Sequence, residues 1–187
     1  MKSGFNLNKI KGCLVSLLSF FKSLSPSGES KSSKTGALEN EIKKFFPNLK
    51  DDDVIKYTCI SGLLCRVAFV DLDISKEEDR AIQKILEDEL LLTPEIAREV
   101  TDLSINQTKV LSGVENHRYT TPLCDFFSKE ERYNLLKSLF LVAASDGNVD
   151  NLECEEIRVI SKGLRLEQQH YSAARASVKE FLGSLNA

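Results

Sequence analysis

The chain of 187 residues has no tryptophan, one methionine and two histidines. Its five cysteines, Cys13, Cys59, Cys65, Cys124 and Cys154, are odd in number and form no CxxC pair. Neither a disulfide framework nor a tetrahedral zinc site is therefore supported. Several of these thiols fall on apolar helical stripes, where reduced cysteine packs as a small hydrophobe, which fits a reducing cytoplasm. No apolar run reaches the roughly 18 residues of a membrane-spanning helix. The longest, "CLVSLLSFF", is too short to span and has no small-residue cleavage site, so it does not read as a secretory signal. Alternation of period two, the mark of strands, is missing. So are the phosphate-cradling GxxxxGK[ST] and the metalloprotease HExxH.

What is present is charge, unevenly placed. Residues 1–34 carry six Lys and one Glu, a net of +5, and the remainder carries a net of −8. A basic arm on an acidic body argues against a nucleic-acid reader, because the body repels phosphate. The arm is amphipathic. Leu7, Ile10, Leu14, Leu17, Leu18, Phe21 and Leu24 recur at helical spacing, accompanied by Lys2, Lys9, Lys11 and Lys22. Such a helix can lie on an anionic membrane surface through residues 5–24, or dock on the body or a partner. Residues 25–36, "SPSGESKSSKTG", read as a flexible linker, and the folded body begins near Ala37.

From there every signal is helical. "ALENEIKKFF" stops at Pro47, and Asp51–Asp53 cap a helix running through Val70. Ser75 opens the next, Thr93-Pro94-Glu95 starts another, and Ser128 with Glu131 forms a capping box. Helices follow at about 129–145, 151–163 and 167–183, whereas "VENHRYTTP" around His117 reads as a loop. Length and patterning together predict an all-α bundle, one domain over residues 37–187.

The chain also matches itself. Shifted by 75 residues, "LLCRVAFVDLDISKEEDRAIQKI" (63–85) lies over "SLFLVAASDGNVDNLECEEIRVI" (138–160). This predicts two helix–turn–helix repeats, related by a pseudo-twofold axis and sharing one core, since neither could cover its apolar stripe alone. Each joint runs Asp, x, Asp/Asn, apolar, Ser/Asp, x, x, Glu. Ser75 with Glu78, and Asp150 with Glu153, are capping boxes; Ile74 and Val149 are staples. Gly147 suits the left-handed turn that closes a helix, whereas Leu72 in its place disfavours that conformation, so the first turn is expected to differ.

Asp71 and Asp146 are left without a capping role. They sit near a helix C-terminus, where the dipole disfavours negative charge, so a turn N–H, a basic neighbour or a cation should compensate. The spacing is not that of an EF-hand, which needs ligands at 1, 3, 5, 7, 9 and 12 and Gly at 6. A looser oxygen site for Ca²⁺ or Mg²⁺ remains, with candidate ligands Asp146, Asn148, Asp150 and Glu153 in the second joint and Asp71, Asp73 and Glu78 in the first. A structural joint and a cation site both stand as readings. For catalysis the candidates are thin: Cys124 with His117 could serve as nucleophile and base only if they met in space, and His170 lies near the start of the last helix.

"LLCRVAFVDLDISKEED" and "SKEERYNLLKSLFLVAASDGNVDNLECEEIRVISKGLRL" together resemble the TerB-like tellurite-resistance family, whose phrase is Ala-x-x-Asp-Gly-x-Ile/Val-x-x-x-Glu. Ala143 to Glu153 matches it fully, and Ala68 to Glu78 matches except at Leu72. The resemblance covers about residues 50–180. It implies an all-helical domain with a cytoplasmic, non-enzymatic role in bacterial stress response, protein partners, metal at its acidic residues and association with the inner membrane surface. The co-chaperone activity of related J-domain proteins is not carried over, because the His-Pro-Asp signature is missing.

Overall fold

The computed structural model describes residues 36–110 and 116–185. The basic segment at 1–24 and nearly all of the linker at 25–36 lie outside the described residues. Within them the chain is helical, with no strand: α1 Ala37–Phe45, α2 Asp51–Ala68, α3 Lys76–Leu90, α4 Pro94–Val110, α5 His117–Phe126, α6 Lys129–Ala143, α7 Asn151–Gly163 and α8 Gln168–Leu185. None of these helices is long and apolar enough to cross a membrane.

The centre of the bundle is α2. Twelve of its 18 residues are buried, and α1, α3, α4, α5, α6 and α7 all pack against it. Its composition explains this. From Val54 to Ala68 it is apolar, small or hydroxylated nearly all round, which suits a helix with neighbours on every side. Thr58 and Ser61 satisfy their hydroxyls on the carbonyls one turn back, at Val54 (2.7 Å) and Tyr57 (2.5 Å). Cys59 and Cys65 are fully buried, and burial pushes both thiols far up, so they pack as hydrophobes. The Asp51–Asp53 run occupies the first turn of α2; the N-cap is Lys50. The acids complement the helix dipole without capping a backbone amide through a side chain.

The segment read as a loop around His117 is helix α5, although Pro122 sits inside it. Tertiary packing overrides the weak local signal. Tyr119, Thr120 and Leu123 are buried, and two glycines admit them. A Cβ on Gly62 of α2 would meet the Tyr119 ring at 2.7 Å, and one on Gly163 would meet Thr120 Oγ1 at 2.7 Å. Arg66 of α2 and Asn116 at the start of α5 both donate to the Glu156 carboxylate of α7, at 2.9 and 3.0 Å.

Candidate functional site

The two joints, α2 to α3 and α6 to α7, are built with the same hydrogen bonds. In each, the turn that follows the preceding helix passes through a residue with positive φ, three positions after the C-cap: Leu72 at 74° and Gly147 at 102°. Their amides donate to Phe69 O (3.0 Å) and Ala144 O (3.1 Å). The first turn thus keeps the hand of the second despite its side chain, which stands 73% exposed. The expected difference in conformation does not occur; it becomes local strain instead.

The aspartates that lacked a capping role acquire one in the turn. Asp71 Oδ1 accepts from Asp73 N–H at 3.0 Å, and Asp146 Oδ1 from Asn148 N–H at 2.9 Å. Of the compensations expected for a negative charge at a helix C-terminus, a turn N–H is the one observed. Asp73 Oδ1 accepts from Ile74 N–H at 3.0 Å. Both capping boxes close. Ser75 Oγ accepts from Glu78 N–H (3.1 Å) while Glu78 Oε2 accepts from Ser75 N–H (2.8 Å). Asp150 Oδ1 accepts from Glu153 N–H and Glu153 Oε2 from Asp150 N–H, both at 2.8 Å.

The two joints share one electrostatic neighbourhood. Glu78 is 9% exposed and Glu153 8%. Burial is the largest influence on each and raises both carboxyls, Glu153 to about 7. The cap bonds to Ser75 and Asp150 pull in the other direction. Like charges then add to burial: Asp71 and Asp146 raise Glu78, while Asp150, Glu78 and Asp146 raise Glu153. The fields of Asp146 and Glu78 cross from one joint to the other. Of the seven sequence-predicted ligands, Glu78, Glu153, Asp71 and Asp146 are brought into one acidic patch. Asp73 and Asp150 accept from amides of their own joints, Asp150 also lying near enough to raise Glu153, and Asn148 contributes its backbone N–H to Asp146.

The patch is not a closed cage. Among the described residues, no three His, Cys, Asp or Glu side chains converge closely enough to hold a metal ion. In kind the donors fit a hard divalent cation, since all four are carboxylates. Each glutamate spends Oε2 on its cap amide. Next to Asp146, the buried Ser145 hydroxyl has no hydrogen-bond partner among the described residues.

A model of the tellurite resistance protein TerB matches residues 58–176. The chain belongs to the TerB family. No curated protein and no solved structure matches it. The TerB match takes in both joints and the whole of α3 to α7; α1 and the first turns of α2 precede it.

The thiol and imidazole groups take other partners. Cys124 Sγ lies 3.4 Å from Gly163 O and 3.7 Å from an Arg132 nitrogen. His117 begins the same helix about two turns earlier, roughly 10 Å along the axis. His170 Nδ1 accepts from Glu167 N–H at 3.2 Å, and its ring meets Tyr133 edge-on. The buried Glu89, 3% exposed, was not singled out in the sequence. The signal was available: with Ile82, Ile85 and Leu86 it completes the i, i+3, i+4, i+7 stripe that α3 turns to the core.

Proposed function

We propose that this TerB-family chain is a non-catalytic interaction module of the cellular stress response whose working face is the end of the bundle carrying both joints. On this reading a Ca²⁺ or Mg²⁺ ion is drawn there by Glu78, Glu153, Asp71 and Asp146. The observation that carries the proposal is the burial of two glutamates among like charges, Glu78 beside Asp71 and Asp146, and Glu153 beside Asp150, Glu78 and Asp146. Two such carboxyls are costly to ionise together, and a divalent cation relieves that cost. Bound metal supplies positive charge and would join the two joints. The chain's own residues set its placement: the cap bonds fix the glutamates, and the turn amides fix the aspartates.

Titration with Ca²⁺ and Mg²⁺, followed by amide shifts and melting temperature, tests this. Binding with Kd well below the metal concentration raises stability by RT ln(1 + [L]/Kd). Shifts confined to Asp71–Glu78 and Asp146–Glu153, lost in a Glu78→Gln/Glu153→Gln double variant, are expected. No shift at either joint would leave them as helix caps alone. The non-catalytic part fails if the purified protein turns over a panel of small-molecule substrates and Cys124→Ala or His117→Ala abolishes that turnover.

A second reading rests on the basic, leucine-striped residues 5–24: cytoplasmic protein recruited to an anionic membrane surface. The full chain should float with anionic liposomes and a version starting at Ala37 should not; equal flotation sinks it.

A further inference from the structure

Three large apolar side chains stand out of the core around the joint end of the bundle. Leu72 in the first joint is 73% exposed, and Leu152 and Val159 on α7 are 56% and 52% exposed. Leu152 and Val159 are seven residues apart, about two turns, so they share one face of α7. The bond from Arg66 to Glu156 fixes the register of α7 against α2. Helix α2 runs toward the joints and α7 runs away from them. Leu152, one turn before Glu156, is therefore carried toward the end of α2, from which the chain leads on to Leu72.

The charge around these side chains has one sign. Asp71 and Asp73 flank Leu72, Asp146 stands in the adjoining joint, and all three are exposed. Each gives one oxygen to a turn amide, and none makes an ion pair among the described residues. In the first joint the nearest cation in sequence is Lys76, three residues beyond Asp73. Such a surface fits a segment with apolar residues at helical spacing and basic flanks. The chain itself carries one. Residues 1–24 hold Lys2, Lys9, Lys11 and Lys22 and no acid, around the leucine stripe of residues 5–24.

The tether is long enough. Residues 25–36 connect the basic segment to α1, and a stretch of that length spans up to about 40 Å. Helix α1 packs against α2, whose 18 residues measure about 27 Å, so the joint end is within reach from any point along α2. A Ser-rich tether of this length holds its cargo at an effective concentration on the order of millimolar, which favours a chain's own segment over that of a second copy. We propose that residues 5–24 dock within the same chain on the joint end of the bundle. The leucine stripe covers Leu72, Leu152 and Val159, and the lysines face Asp71, Asp73 and Asp146. This docking requires neither a bound metal nor a membrane. One stripe cannot cover the joints and a lipid surface at once, so in any one molecule docking and membrane recruitment exclude each other.

The test uses the full chain, without lipid or added divalent metal. Cys59, Cys65 and Cys154 are buried, so in a Cys124→Ser background a nitroxide reagent has Cys13 as its target. Paramagnetic broadening of the backbone amides then reports where residues 5–24 lie. Amides of Asp71–Asp73 and Asp146–Leu152 should lose at least half their intensity relative to the reduced label, while Asp51–Asp53, at the opposite end of α2, keep theirs. A Leu72→Ser/Leu152→Ser double variant should restore the lost intensity, and so should salt at about 0.5 M, which screens the lysine–aspartate attraction. Mixing labelled chain with unlabelled nitrogen-15 chain identifies a second copy as the occupant. Broadening in that mixture equal to that within one chain overturns the proposal. So does broadening that is absent, even over the whole bundle, or unchanged in the double variant. Both leucines are more than half exposed, so the double variant should fold; if it does not, broadening unchanged by salt overturns the docking instead.

Discussion

Leu72 and Gly147 occupy the same place in two joints with the same hydrogen bonds, and they divide the cost of that place unequally. Glycine accepts positive φ freely, whereas leucine is held there at 74° with its side chain in solvent and no burial in return. Leu72→Gly should stabilise the protein, by up to about 1 kcal/mol once the extra freedom of unfolded glycine is subtracted. Gly147→Ala should destabilise it by about 1 kcal/mol, although a Cβ there meets nothing within 4 Å. Urea unfolding of the two variants, with opposite signs, separates backbone strain from packing. Gly62 poses the reverse case, because its backbone is ordinary and its space is not. Gly62→Ala should cost about 1–3 kcal/mol, since the Tyr119 ring must yield or α5 must lift.

Helices α3, α6 and α7 begin at closed capping boxes on Ser75, Ser128 and Asp150. Replacing Ser75 or Asp150 by alanine should lower stability by about 1 kcal/mol each, read from the urea midpoint at constant slope. These starts were legible in the sequence because a capping box is a local pattern; so were α1, α4 and α8, whose stops and starts rest on Pro47, Pro94 and a helical periodicity. Helix α5 was not. His117 to Phe126 holds adjacent β-branched threonines and an internal proline, and only its seat over Gly62 and Gly163 makes it helical. Contacts between residues so distant in sequence leave no periodic trace. The candidate site divided along the same line. Its aspartates were visible, and the turn amide that satisfies each was among the expected partners. That Glu153 would be buried within reach of the charges on Glu78 and Asp146 depends on how α2, α3, α6 and α7 pack, which spacing alone does not give.

For the molecule as a whole, raised carboxyls set the direction of its response to pH. Glu78, Glu89 and Glu153 all lie above their ordinary values, Glu89 and Glu153 at about 7. Each therefore contributes stability that is complete below the unfolded carboxylate range and lost as pH rises toward neutrality. Glu95 and Glu167 are lowered, but both are on the surface. Unfolding free energy should accordingly decline between about pH 5 and pH 7, by an amount on the order of a few kcal/mol, in a series of urea titrations at fixed ionic strength. Millimolar Ca²⁺ or Mg²⁺ should flatten the part of that decline owed to Glu78 and Glu153 and leave the part owed to Glu89.

The position of α2 bears on whether the protein can be divided. The helix that leads into the first joint also lines the packing surfaces of α5, α6 and α7. A fragment ending at residue 110 would expose the flank of α2 that those helices cover, and the remaining piece would lack its central rod. Residues 37–110 and 117–185 are therefore not separable halves, and a lesion in α2 should loosen the packing of both.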